Sequence, residues 1–97
     1  MNVLGIIGSP RKGGNAATLT DQVVSGATSK WAQAQTVTLS DLSIAPCKAC
    51  AACKQTGGAC SQKDDMVGLV EKMKAADAFV LATPVYYGDV TAQMKTW

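Results

Sequence analysis

Histidine is absent from the 97-residue sequence, and aromatic residues are scarce: two Trp, two Tyr and one Phe. Without an imidazole no Ser-His or Cys-His pair exists, so nucleophilic or acid-base hydrolysis has little support. The same absence removes the mixed Cys-His zinc sites. Charge is also sparse, nine basic against seven acidic residues interspersed to a net +2. That leaves no cationic stripe for nucleic acid and no acidic partner face. No apolar run approaches the roughly 20 residues of a membrane span. Met1 to Gly8 has no basic n-region and the first apolar run is short, so no secretory signal and no membrane association are expected, and a cytoplasmic, reducing compartment fits best. Neither internal repeats nor low-complexity segments are found.

What the chain does have is cysteine, concentrated in one place. Pro46 to Asp65 reads PCKACAACKQTGGACSQKDD and holds all four thiols, Cys47, Cys50, Cys53 and Cys60, in C-x2-C-x2-C-x6-C spacing. Thiols three residues apart, twice in succession, can turn towards one centre, and Gly57 and Gly58 let the chain reverse so that the fourth closes the set. Tightly spaced cysteines with one outlier are the usual signature of a cubane iron-sulfur cluster. Structural zinc is the main rival, although its sites more often pair two C-x2-C knuckles across a longer spacer. Plain or catalytic thiols also stay open, while disulfides come last in a reducing compartment.

The rest of the sequence reads as scaffold for one small domain, residues 1–97, with the cysteine loop at 46–63. At this length only about two-thirds of the unfolded surface can be buried, so a thin core is expected. Val3 to Ile7 is an almost unbroken apolar run ended by Gly8-Ser9-Pro10, the pattern of a central parallel strand. Asn15 is a natural N-cap for a helix starting near Ala16, whose Leu19, Val23, Val24, Ala27 and Trp31 fall on one stripe. Trp31 is expected in the core or at a subunit contact. Gln35 to Leu39 alternates and suits an edge strand. Asp64-Asp65 caps a second helix with Met66, Leu69, Val70 and Met73 on one face. Ala78 to Ala82, stopped by Thr83-Pro84, reads as a second central strand, and a last helix begins in Val90 to Trp97.

Alternating strands and helices imply a parallel sheet with right-handed crossovers, part of a doubly wound α/β fold in strand order 2-1-3. Ligands bind outside the carboxyl ends of the strands where the order reverses, which brings together the loops Gly8 to Asn15 and Thr83 to Asp89. The first loop, GSPRKGGN, is neither a Walker A nor a G-x-G-x-x-G fingerprint. It nonetheless offers a phosphate the backbone N–H groups of the Arg11 to Ala16 turn, the hydroxyls of Ser9 and Thr18, the Asn15 amide, the Arg11 charge and a helix N-terminus. The second, TPVYYGD, supplies a proline-fixed turn, two aromatic rings and a glycine that admits close approach of a flat ring system.

GSPRKGGN, PCKACAAC with a fourth cysteine before DDM, and TPVYYGDV followed by QMK together resemble the iron-sulfur flavoproteins, within the wider NADPH-dependent FMN reductase group of flavodoxin-like fold (strand order 2-1-3-4-5). The resemblance covers essentially the whole chain. It implies FMN, with its phosphate on Ser9, Arg11, Asn15, Ala16 and Thr18 and its isoalloxazine against Pro84, Val85, Tyr86, Tyr87 and Gly88. It further implies a [4Fe-4S] cluster on Cys47, Cys50, Cys53 and Cys60, ferredoxin or NAD(P)H as electron donor, and a homo-oligomer, dimer or tetramer. Members of that family run to roughly twice this length, so the chain is expected to be an N-terminal portion of the fold. A cluster-free NAD(P)H-dependent FMN or quinone reductase is the alternative reading, and a non-enzymatic assembly module built on a zinc knob is the second.

Overall fold

The apolar run after Met1 forms β1 (Asn2–Ile7), and five of its six residues are buried. In the computed structural model, which describes residues 1–97, β1 is the middle of a three-stranded parallel sheet of order β2-β1-β3. β2 (Gln33–Thr38) and β3 (Ala78–Ala82) flank it, paired from Asn2 with Gln33 to Ile7 with Thr38, and from Val3 with Ala78 to Ile7 with Ala82. Helices α1 (Asn15–Thr28), α2 (Ala52–Gln55), α3 (Met66–Ala75) and α4 (Ala92–Thr96) complete the chain, with a single 3-10 turn over Leu39–Asp41. The order 2-1-3 is the one expected from the alternation of elements.

Side chains alternate across β1, and the two faces are built differently. Leu4 and Ile6 join Val37, Leu39 and Leu69 in the core cluster, so α3 packs on that face through Leu69. On the other face Gly5 meets α1: a Cβ there would lie 2.9 Å from Thr20 Cγ2 and 3.1 Å from Thr36 Cγ2. The missing side chain lets the helix settle close enough to bury Thr20, whose hydroxyl donates back to the Ala16 carbonyl. Twelve of 97 residues are buried, so the core is as thin as the chain length implies.

Several local expectations need correction. Helix α1 is preceded by Gly14, in extended conformation, and Asn15 is its first residue with no side-chain cap hydrogen bond. Helix α1 ends at Thr28, and Trp31 follows with φ +73. Bonds from Ala32 N to Ala27 O and from Trp31 N to Thr28 O close a Schellman turn with Trp31 where glycine is usual. Its ring is therefore thrown outward, 94% exposed, and is not in the core. Leu19 and Val23 are also exposed, although Val24 and Ala27 are half-buried. β2 begins at Gln33, and Leu39 belongs to the 3-10 turn after it.

β3 reads as a central strand but lies at the sheet edge, paired on one side only. Phe79 and Leu81 are 46% and 55% exposed because no element of this chain covers that side. Of the acidic pair before α3, Asp64 does the capping, through Oδ1 to Met66 N at 3.0 Å, while the Asp65 carboxylate reaches sideways to Ser43 N. No helix is long and apolar enough to cross a membrane.

Candidate functional site

β1 and β3 end level with each other, and the backbone joins them once more as Gly8 N donates to Ala82 O at 2.7 Å. The two loops that leave these ends therefore face each other at the carboxyl edge of the sheet. Gly8 is glycine because a Cβ would collide with the Met94 side chain and lie 3.2 Å from Ala82 O. Ser9 is buried, and its Oγ accepts from Arg11 N at 3.2 Å, folding the chain into a turn. Gly13 takes the left-handed conformation, φ +68, that lets the turn feed α1.

At the start of α1 the first intrahelical bond runs from Thr18 N to Gly14 O, and no backbone or side-chain acceptor takes the N–H groups of Asn15, Ala16 or Ala17. Three free donors at the positive end of a 14-residue helix form a ready anion site. The Arg11 stem packs over Gly14, its Cδ 3.1 Å from where a Cβ would stand, so the guanidinium belongs to the same turn. Thr18 is the exception: its hydroxyl donates to Gly14 O at 3.0 Å and is turned to the helix's own backbone.

Between the two loops lies a cavity of about 750 Å³, within the range of small-molecule and cofactor sites. Ser9, Arg11, Asn15, Ala16, Pro84, Val85 and Tyr86 line it, together with an apolar wall that includes Leu19, Val23 and Val80, the last on the α1 face beside Gly5. These wall residues read in the sequence as core. A hydrophobic stripe alone does not distinguish core from pocket lining. Tyr87 and Gly88 lie outside the lining. They occupy the tip of a tight turn in which Tyr86 and Asp89 exchange backbone hydrogen bonds of 2.8 and 3.0 Å, with φ +51 at Tyr87 and +76 at Gly88. Positive φ at both central residues is the type I′ pattern, and it leaves the Tyr87 ring fully exposed.

The cysteine loop is pinned at its neck. Ser43 N and Ala45 N donate to the Asp65 and Asp64 carboxylates at 2.6 and 2.9 Å, Asp65 N donates to Ser43 O, and the Gln62 amide reaches Pro46 O. Beyond the neck all four cysteines are exposed free thiols. Ala49 N donates to Cys47 Sγ and Gln62 N to Cys60 Sγ, both at 3.4 Å, the kind of N–H···S bond that tunes sulfur ligands. Cys50 Sγ lies 3.4 Å from the Ser61 hydroxyl. That contact above all, with Ala52 N and the Lys48 charge, holds the Cys50 thiol below its ordinary range. The loop gathers the donor set but does not focus it: no three Cys, Asp or Glu side chains are grouped closely enough to share a metal ion.

A parallel sheet of order 2-1-3, an uncapped helix N-terminus beside a glycine turn and an aromatic loop opposite define a flavodoxin-like, doubly wound α/β arrangement. The chain belongs to the NADPH-dependent FMN reductase family, whose sequence model matches residues 1–97. Among curated relatives, an iron-sulfur flavoprotein of Methanosarcina thermophila is 42% identical over 95 residues, 98% of this chain and 49% of the relative. One from Archaeoglobus fulgidus is 41% identical over 97 residues, 100% of this chain and 44% of its own length. The chain thus spans about half the length of the curated relatives it matches. Among solved structures, a flavone reductase superposes with a TM-score of 0.77 at 25% identity, covering 99% of this chain and 28% of that one. RosB, solved with the bound intermediate 8-demethyl-8-formylriboflavin-5'-phosphate, gives a TM-score of 0.77 at 19% identity over 99% of this chain and 40% of RosB.

Proposed function

We propose that this chain is the FMN-binding part of an oxidoreductase that exchanges electrons between FMN and a [4Fe-4S] cluster on Cys47, Cys50, Cys53 and Cys60, fed by ferredoxin or NAD(P)H. The observation that carries the flavin assignment is the pair of unpaired N–H groups of Asn15 and Ala16, residues that line the cavity whose far wall is Pro84, Val85 and Tyr86. It suits a ligand with a phosphate at one end and a flat ring at the other. Arg11 and Ser9 would hold the phosphate end. Pro84 fixes the opposite backbone, and Leu19, Val23 and Val80 keep water from the apolar side. When bound, FMN supplies conversion between two-electron and one-electron transfer. Four free thiols on one pinned loop, two already accepting N–H···S bonds, match the chemistry of a cluster's donor set, and the names of the relatives point the same way.

Titration of FMN into the purified protein, followed by flavin fluorescence, should saturate at one per chain, and Arg11→Ala should weaken it. Anaerobic preparation should add four irons and four sulfides per chain, lost on Cys47→Ser with Cys50→Ser. Failure to bind FMN removes the flavin reading. The absence of any grouped trio of ligands favours a second reading, a cluster-free NAD(P)H-dependent FMN or quinone reductase. Under it the same double variant keeps the parental rate of NADPH oxidation. One zinc and no flavin per chain would instead support the assembly module.

A further inference from the structure

The turn at Gly8 and the loop at Thr83 leave different strands, and one buried side chain ties them together. Thr91, the N-cap of α4, is fully buried. Its Oγ1 donates to Gly8 O at 2.6 Å, 83 residues away in sequence, and accepts from Met94 N at 3.2 Å. Its backbone N–H donates to Thr83 Oγ1 at 3.2 Å, and that hydroxyl donates in turn to Pro84 O at 3.0 Å. Three hydrogen bonds, joined through Thr91 and Thr83, thus run from the carbonyl beneath the anion turn to the carbonyl of the residue that begins the ring wall, while the bond from Met94 N anchors Thr91 to α4.

We propose that Thr91 is a positioning residue for the flavin: it fixes the spacing between the grip on the phosphate and the grip on the ring. The inference rests on the FMN reading above. A ligand held at both ends gains from the second grip only as far as the protein keeps the two in register. Removing the Thr91 hydroxyl leaves each grip's own residues intact but strands the buried Gly8 carbonyl and uncouples the loops. FMN, which uses both grips, should then lose affinity, whereas riboflavin, which lacks the phosphate, should not. A residue that merely supports α4 would weaken both alike.

The test compares Thr91→Val, nearly isosteric without the hydroxyl, with Thr91→Ser, which keeps it. Dissociation constants for FMN and riboflavin are measured by fluorescence titration, and amide hydrogen exchange of residues 8–15 is followed in flavin-free protein. The parent and Thr91→Ser should share one ratio of riboflavin to FMN dissociation constants. In Thr91→Val that ratio should fall about tenfold, the scale of one buried hydrogen bond, with exchange in 8–15 accelerated. Should Thr91→Val not fold, Thr83→Val removes the other hydroxyl of the chain and should give the same fall. An unchanged ratio in a folded variant, or unchanged exchange in 8–15, overturns the inference. Should the parent bind no flavin at all, the proposed function fails, while the exchange experiment still decides whether Thr91 holds the two loops together.

Discussion

Lys95 Nζ lies 2.9 Å from Asp89 Oδ2 and ties α4 to the turn that carries Tyr86 and Tyr87. The Lys95 ammonium first, and then the Val90 N–H that donates to Asp89 Oδ1 at 2.7 Å, hold this carboxyl below its ordinary range. A carboxyl whose pKa is depressed on folding contributes stability above its unfolded pKa, near 3.8, and loses that contribution as pH falls through the lower folded value. Lys95→Met should therefore raise the Asp89 midpoint in a carboxyl-carbon NMR titration. The difference in melting temperature between parent and variant should be small, since the pair is exposed, and should vanish at acid pH and in high salt. Identical midpoints in the two proteins would show that the ion pair does not form in solution.

Gly8 is required by space, since its φ is not in the left-handed region and Met94 occupies the room a side chain would need. Gly8→Val should destabilise the protein by about 1–3 kcal/mol in chemical denaturation, the usual cost of overpacking. Met94→Ala should recover part of that loss when combined with it, a non-additivity that a double-mutant cycle measures. Additive effects would mean that Met94 is not what Gly8 accommodates.

The strand pattern was legible because burial on both faces leaves a local mark: VLGII reads as the middle of a parallel sheet and is that. AFVLA carries the same mark yet lies at the edge, since periodicity records what a strand is suited to and not which neighbours this chain supplies. The tight turn before α1 was legible from Ser9 and the glycines, whose chemistry is local. Leu19 and Val23 were not, because a helix stripe looks the same whether it covers a core or lines a cavity. Thr91 lay deeper still: a threonine before a short helix signals a cap, but nothing local announces its bond to Gly8. For the cysteines, spacing fixes which thiols share a loop, not that they face one another.

The free edge of β3 has a consequence for association. Phe79 and Leu81 present apolar side chains beside unpaired backbone groups, the arrangement that recruits further strands. Sedimentation of the 97-residue chain should therefore show concentration-dependent association. Phe79→Lys should suppress the association at a cost in stability of about 1–2 kcal/mol, the burial lost from the covered half of the ring. Association that persists undiminished in the variant would place the contact elsewhere, with Trp31 the next exposed candidate.

The neck of the cysteine loop makes the last prediction. Asp65 Oδ2 accepts from Ser43 N at 2.6 Å and Asp64 Oδ2 from Ala45 N at 2.9 Å, so two carboxylates close the neck of the loop. Exposure limits each bond to about 1 kcal/mol, which corresponds to roughly a fivefold change in the opening equilibrium. Asp65→Ala should therefore raise tryptic cleavage after Lys48, Lys54 and Lys63 about fivefold. Cleavage after Lys72 and Lys74, on α3 outside the neck, serves as the control and should stay at the parental rate. If all five sites accelerate together, Asp65 supports the domain as a whole; if none does, the loop is held by contacts other than its carboxylates.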